Sequence, residues 1–319
     1  MSEDREELLD LVRGLSALAV LAGHLRAFVL VDLAEAPSPG LLTKAFYLAT
    51  GLGHQAVMVF FVLSGYFVGG SVVKLIREGR FSWKRYGVAR LSRLWVVLIP
   101  ALALTLACDV IGRGLAPEAY AGGLRPLFHS GPVAAGISLS PVTALGNVVF
   151  LQTVAVPVFG SNSPLWSLAN EFWYYVLFPL LGWAVAWKRP GRALAAAGLF
   201  GFLLWWLPGG LAAKMGIWLF GTAAWVVESG KRGRVVWRLL GAGVFTLVLA
   251  GSKWRPEAIN DWVVGGVFAL WLPTLAGRWS APEWLRRLAK GLAEISYTLY
   301  VVHFPLLFLV VAAGLQGRQ

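Results

Sequence analysis

Apolar residues dominate the chain in long windows, separated by short polar stretches that carry Gly, Pro or basic side chains. A hydrocarbon core about 30 Å thick needs roughly 20 apolar residues in helical form to cross it. Windows of about that kind fall at 8–31, 54–76, 91–112, 165–187, 193–209, 212–229, 237–252, 262–277 and 292–314. A soluble α/β domain would instead alternate short apolar strands with amphipathic helices. The pattern predicts an all-α polytopic membrane helix bundle of about nine spans, or ten if a re-entrant piece within 143–160 enters the bilayer, where Pro157 interrupts an apolar run. No solenoid-type repeat is present, so residues 1–319 read as one membrane domain. Its longest stretch between spans, about 113–164, is rich in Gly, Pro and Ser, and a loop of that length is more often functional than idle.

Composition agrees: 58% of the 319 residues are hydrophobic and 14% charged, where a soluble domain would be nearer 25% charged. The formal charge of +12 would suggest nucleic acid in a soluble protein. Here its distribution reports topology. Basic residues gather in alternate loops: Lys74, Arg77, Arg80, Lys84, Arg85, Arg90 and Arg93; Lys188, Arg189 and Arg192; Lys231, Arg232, Arg234 and Arg238; Arg278, Arg286, Arg287 and Lys290. By the positive-inside rule these loops and the N-terminus are cytoplasmic in a multi-pass membrane protein, with lipids rather than nucleic acid around it. The first apolar segment is too long for a signal-peptide core and follows acidic residues, so it is expected to stay as the first span. Cys108 is the single cysteine, which leaves neither a disulfide nor a thiolate metal site within the chain.

Ionisable residues inside apolar windows are costly and usually turn toward a bundle interior. Arg13 and His24 in the first window are eleven residues apart, which on a helix returns to within roughly 20° of the starting direction and places them on one face about 16 Å apart. Glu171 lies in "PLWSLANEFWYYVLFP" and His303 in "ISYTLYVVHFPLL"; Arg90 and Arg93 stand one turn apart at the mouth of the third window. His24 has the intrinsic pKa of a general base for a hydroxyl. A structural hydrogen bond would serve equally well to place it there. Glu171, near the outer end of its window, orients an imidazolium, binds a polar substrate or pairs with a neighbouring helix. Guanidinium forks suit phosphate oxygens, so Arg13, Arg90 and Arg93 either form a cytoplasmic anion site or snorkel to lipid phosphate. In "FFVLSGYFVGG", Ser64 and Tyr66 flank Gly65, which permits close helix approach; there is no nucleophile elbow around Ser64. Tyr297, Tyr300 and His303 form a polar stripe on the last span, and His54 and His129 take no role. No spacing suits a metal, and no Gly-rich phosphate loop is present.

The ordered set of Arg13-x10-His24, "FFVLSGY", "RLSRLWVVLIP" with its R-x-x-R, "NSPLWSLANEFWYY" and "ISYTLYVVHFPL" resembles the acyltransferase 3 family of integral membrane acyltransferases, over about residues 8–312. The resemblance implies transfer of an acyl group, most commonly acetyl, from cytoplasmic acyl-CoA to a hydroxyl. The acceptors it implies are carbohydrates or glycolipids of the cell surface, and in some members macrolides. By motif, Arg13 and His24 carry over as the essential pair, Arg90 and Arg93 as CoA-binding residues, and Glu171 as a catalytic residue on the acceptor side. Ser64, Tyr66, Tyr300 and His303 carry over as substrate or supporting residues. The same buried charges also fit a transporter or flippase of a polar or acyl-modified solute.

Overall fold

The structure is a computed structural model that describes residues 3–123, 131, 137–186, 190–227, 235–275 and 281–316. His129 and the basic residues Lys188, Arg189, Lys231, Arg232, Arg234 and Arg278, together with part of the 113–164 loop, lie outside them. The described residues form helices α1 (Glu3–Val29), α2 (Leu41–Thr50), α3 (Gly53–Ser64), a π-helical turn (Gly65–Gly69), α4 (Gly70–Arg77), α5 (Trp83–Leu115), a second π-helical turn (Ala119–Gly123), α6 (Pro141–Val148) and α7 (Leu165–Ala186). There follow α8 (Pro190–Trp206), α9 (Gly209–Val227), α10 (Val235–Trp254), α11 (Asp261–Trp271) with a short 3-10 extension, and α12 (Glu283–Gln316). Strand pairing among the described residues is confined to two isolated bridges, Ser138 with Phe159 and Gln152 with Val156.

The described part of each apolar window read from the sequence falls largely on a helix. Six described helical stretches are long and apolar enough to cross a membrane: Glu7–Val29, Leu41–Arg77, Trp83–Leu115, Gly209–Val227, Val235–Trp254 and Glu283–Gly314. The described residues are therefore all-helical apart from those bridges, with six candidate membrane-crossing helices. Helix ends follow local chemistry. Ser140 caps α6 by accepting from the Thr143 amide at 3.1 Å, with Pro141 at the first helical position, where its missing N–H costs no bond. Asn260 caps α11 by accepting from the amides of Trp262 and Val263. Within 143–160, α6 ends at Val148 and the chain continues as turns, with Phe150 and Thr153 at positive φ.

The chain divides into two compact units. The first comprises residues 1–13, 57–91 and 170–293. Here the π-helical turn packs directly on α9: a Cβ at Gly65 would collide with the Trp218 carbonyl, and one at Gly221 with the Val62 carbonyl. Backbones this close require glycine on both sides. Thr222 donates to the Gly65 carbonyl at 2.9 Å, and Trp218 and Tyr66 are sealed alongside at 0% and 1% exposure.

The second unit comprises 14–56, 92–169 and 294–319. Phe28, Tyr120, Phe304 and Phe308 form its aromatic core, with Phe28 and Phe304 edge to face at 5.0 Å. Polar ties join its α5 segment to the turn before α7. The fully buried Asp109 accepts from Ser161 through the amide (2.7 Å) and the hydroxyl (2.6 Å). Gly160, at φ 60°, passes so near this carboxylate that a Cβ would strike it. A buried carboxylate is tolerable only with such donors.

Candidate active site

The residues singled out from the sequence separate into two polar clusters, one in each unit. In the first unit, Ser64 at the end of α3 donates to Glu171 Oε1 of α7 at 2.8 Å, and Trp218 Nε1–H donates to Ser64 Oγ at 3.1 Å. The Tyr175 hydroxyl, one helical turn after Glu171, donates to the same carboxylate oxygen. Glu171 and Ser64 are half-buried.

Tyr175 links this cluster to Arg90. The Arg90 guanidinium lies 5.9 Å from the Tyr175 ring centre and 5.7 Å from that of Tyr86, and its Nε is buried with no hydrogen-bond partner. The Tyr86 hydroxyl donates to the Tyr175 backbone carbonyl at 3.1 Å. Pro179 explains that bond. A proline inside a helix has no N–H for the carbonyl four residues earlier, which in α7 is that of Tyr175. Tyr86 supplies the missing donor and fixes the first turn of α5 at the same time.

Arg13, also in the first unit, makes an ion pair with Asp10 at 3.5 Å and lies 5.5 Å from the Phe67 ring centre in the π-helical turn. Arg93 is exposed on α5, whereas Arg90 is half-buried. Tyr66 is almost wholly buried and packs edge to face on Phe67.

In the second unit, His24 of α1 and His303 of α12 meet. His24 Nδ1 lies 2.7 Å from His303 Nε2. The rings are within 18° of coplanar with centroids 5.0 Å apart. That separation is the nitrogen-to-nitrogen distance plus the two ring radii, so the imidazoles meet edge-on through a hydrogen bond rather than face to face. Phe304 closes one side, edge to face with His24 at 5.0 Å. His303 is 3% exposed and His24 half-buried.

The turn of α12 that carries His303 is held in register from outside. Pro305 deprives the Val301 carbonyl of its helical donor, and Asn162 Nδ2 takes that place at 2.8 Å while also donating to Thr105 Oγ1 at 3.0 Å. The Tyr300 hydroxyl bonds Ser167 Oγ at 2.7 Å.

Sequence reasoning found the ionisable residues of both clusters but missed Asp109, Asn162, Tyr86, Tyr175 and Trp218. For Asp109 the signal was present, a carboxylate inside the apolar run 91–112. For Asn162 and Tyr86 no local signal exists, because each answers a carbonyl freed by a proline far along the chain.

Among the described residues no group of three or more His, Cys, Asp or Glu side chains is placed to hold a metal ion. What the arrangement offers is proton transfer at an imidazole in one unit and anion binding at a guanidinium in the other. No curated protein and no solved structure matches the chain. A family model described as an acyltransferase domain matches residues 7–315, nearly the whole length. The two clusters thus belong to a multi-pass membrane protein of the acyltransferase 3 family.

Proposed function

We propose that the protein is an inner-membrane O-acyltransferase, which moves an acyl group, acetyl in the simplest case, from cytoplasmic acyl-CoA to a hydroxyl of a carbohydrate or glycolipid acceptor. The single domain would cross the membrane nine or ten times with its N-terminus in the cytoplasm and its 113–164 loop, with the re-entrant piece, on the acceptor side. The observation that carries this reading is the His24–His303 hydrogen bond in a chain of this family. A half-buried imidazole whose far nitrogen is anchored by another side chain has the form of a positioned general base.

His24 takes the proton of the acceptor hydroxyl as its oxygen attacks the thioester carbonyl carbon. The carbon–sulfur bond breaks, and the imidazolium returns the proton to the departing CoA sulfur. In the alternative order, His24 itself attacks, carries the acyl group as an acyl-imidazole and passes it to the acceptor. Arg13, Arg90 and Arg93 hold the CoA phosphates. The unpartnered, buried Nε of Arg90 supports this, because an anion would satisfy a donor that is otherwise costly to bury. Glu171, with Ser64, Tyr66 and Tyr300 in support, shapes the substrate path and remains the second catalytic candidate.

The test is release of CoA and acyl transfer from labelled acetyl-CoA by purified protein in nanodiscs, wild type against His24→Ala. Turnover that disappears in the variant supports the reading, and label retained on His24 selects the acyl-enzyme order. A wild type that neither binds nor consumes acetyl-CoA or longer acyl-CoAs overturns it in favour of solute transport.

A further inference from the structure

The two bonds on the His303 ring fix which nitrogen of each imidazole bears hydrogen. His303 Nδ1 lies 3.0 Å from the Leu299 carbonyl, one helical turn back. A carbonyl only accepts, so Nδ1 carries the hydrogen, and in a neutral ring Nε2 is left with the lone pair. His24 Nδ1, 2.7 Å from that lone pair, must therefore be the donor. A neutral His24 with its hydrogen on Nδ1 presents its own lone pair on Nε2, at the far side of its ring.

We infer that His303 is a positioning residue that sets the tautomer of His24, holding the Nε2 lone pair of His24 free as the basic atom. This rests on the proposed acyl-transfer reading only for its consequence in catalysis; the tautomer follows from the hydrogen-bond geometry of two neutral rings. A third group that orients the base is a recurring part of such sites, and there it is usually a carboxylate. Here it is a second neutral imidazole, which suits a buried place. An unpaired carboxylate would pay heavily for desolvation, whereas a neutral imidazole brings no charge into a place where His303 is only 3% exposed. When His24 accepts a proton at Nε2, its Nδ1–H bond to His303 becomes charge-assisted and stabilises the imidazolium.

The surrounding ties serve this one bond. Asn162 on the Val301 carbonyl and Ser167 on the Tyr300 hydroxyl bracket the turn that delivers both His303 and the Leu299 carbonyl. A slip of one residue along α12 would rotate the imidazole by about 100° and remove it from His24.

The experiment is nitrogen-15 NMR of histidine-labelled protein in nanodiscs, with the His24 resonances assigned by difference against His24→Gln. It is paired with acyl-transfer kinetics for His303→Phe and His303→Gln. In wild type, His24 is expected to show a protonated Nδ1 and an unprotonated Nε2. His303→Phe abolishes that preference and lowers kcat roughly a hundredfold with the KM for acyl-CoA unchanged. His303→Gln keeps a carbonyl acceptor for the His24 Nδ1–H and restores both the tautomer and at least a tenth of kcat, which a merely structural role would not produce. A His24 protonated on Nε2 in wild type, or a tautomer indifferent to residue 303 in both variants, overturns the inference. An intact tautomer in a protein that consumes no acyl-CoA supports the inference and overturns the functional reading instead.

Discussion

The Glu171 cluster of the first unit and the His24 cluster of the second are built on the same backbone device and carry opposite chemistry. In each, a proline inside a long helix frees a carbonyl, that of Tyr175 by Pro179 and that of Val301 by Pro305, and a distant side chain supplies the donor. Around the first carbonyl the fold gathers charge: Glu171 with its three-residue hydrogen-bond set, and Arg90 over two tyrosine rings with a donor to spare. Around the second it gathers neutral polar groups, an imidazole pair with Phe304 set edge to face against both rings. A charged site binds ions tightly and responds to salt; a neutral, dry one moves a proton with little reorganisation of solvent. The difference teaches that helix-breaking residues inside a membrane protein need not be flaws. A freed carbonyl becomes an anchor point that ties a functional helix turn to a residue far away in sequence.

The comparison breaks most sharply at the imidazole. His24→Ala is expected to lower acyl transfer by about a thousandfold, the usual range for loss of a positioned base, while binding of acyl-CoA measured by calorimetry stays near wild type. If donor binding fails along with turnover, the division of labour between the clusters is wrong.

Arg90 comes next. Arg90→Ala should raise the KM for acyl-CoA about ten- to a hundredfold with a small change in kcat, since charge-assisted bonds to phosphate contribute about 1.5–3 kcal/mol each. Arg93→Ala, at an exposed position on the same helix, should cost less. Reversal of that order in donor titrations would count against the buried guanidinium as the stronger anion ligand.

Asn162→Leu tests the anchor itself. It leaves the Val301 carbonyl unpaired in a buried place, a cost of about 1–3 kcal/mol, reduced because the Asn162 Oδ1 that disappears has no partner of its own. Thermal unfolding in nanodiscs should fall by a few degrees, with a loss of kcat as His303 drifts. Adding Pro305→Ala restores a helical N–H for that carbonyl and should recover most of the loss; independent effects in the double-mutant cycle would reject the anchor.

Tyr86→Phe, the matching change in the first unit, should have the smallest effect, about 1 kcal/mol in stability, with its functional trace confined to the KM for acyl-CoA. A fall in kcat without a change in KM would place Tyr86 in the proton-transfer chemistry instead.

Much of the molecule was legible in advance because a bilayer imposes strong and simple constraints. Apolar windows must become helices, since no other open element satisfies its backbone in hydrocarbon, and the described part of each window read from the sequence lies largely on a helix. Buried ionisable residues are rare enough to be noticed one by one, which is how Arg13, His24, Glu171 and His303 stood out. The pairing of His24 with His303 was not legible, because 279 residues separate them and neither carries a mark of the other. Tyr300 stood out only as part of a polar stripe, and its bond to Ser167 at the start of α7 was not legible, because Ser167 had drawn no notice.

What the sequence by itself determined is the class of fold, the helices and the kinds of chemistry available, since periodicity, apolar length and the cost of burying charge act locally along the chain. Only the tertiary structure decided which polar groups meet. That includes the tautomer-setting bond on His24, the four-residue set at Glu171 with Ser64, Tyr175 and Trp218, and the donors that answer Pro179 and Pro305. A hydrogen bond is decided within about 3 Å, and that precision comes from packing helices drawn from distant parts of the chain.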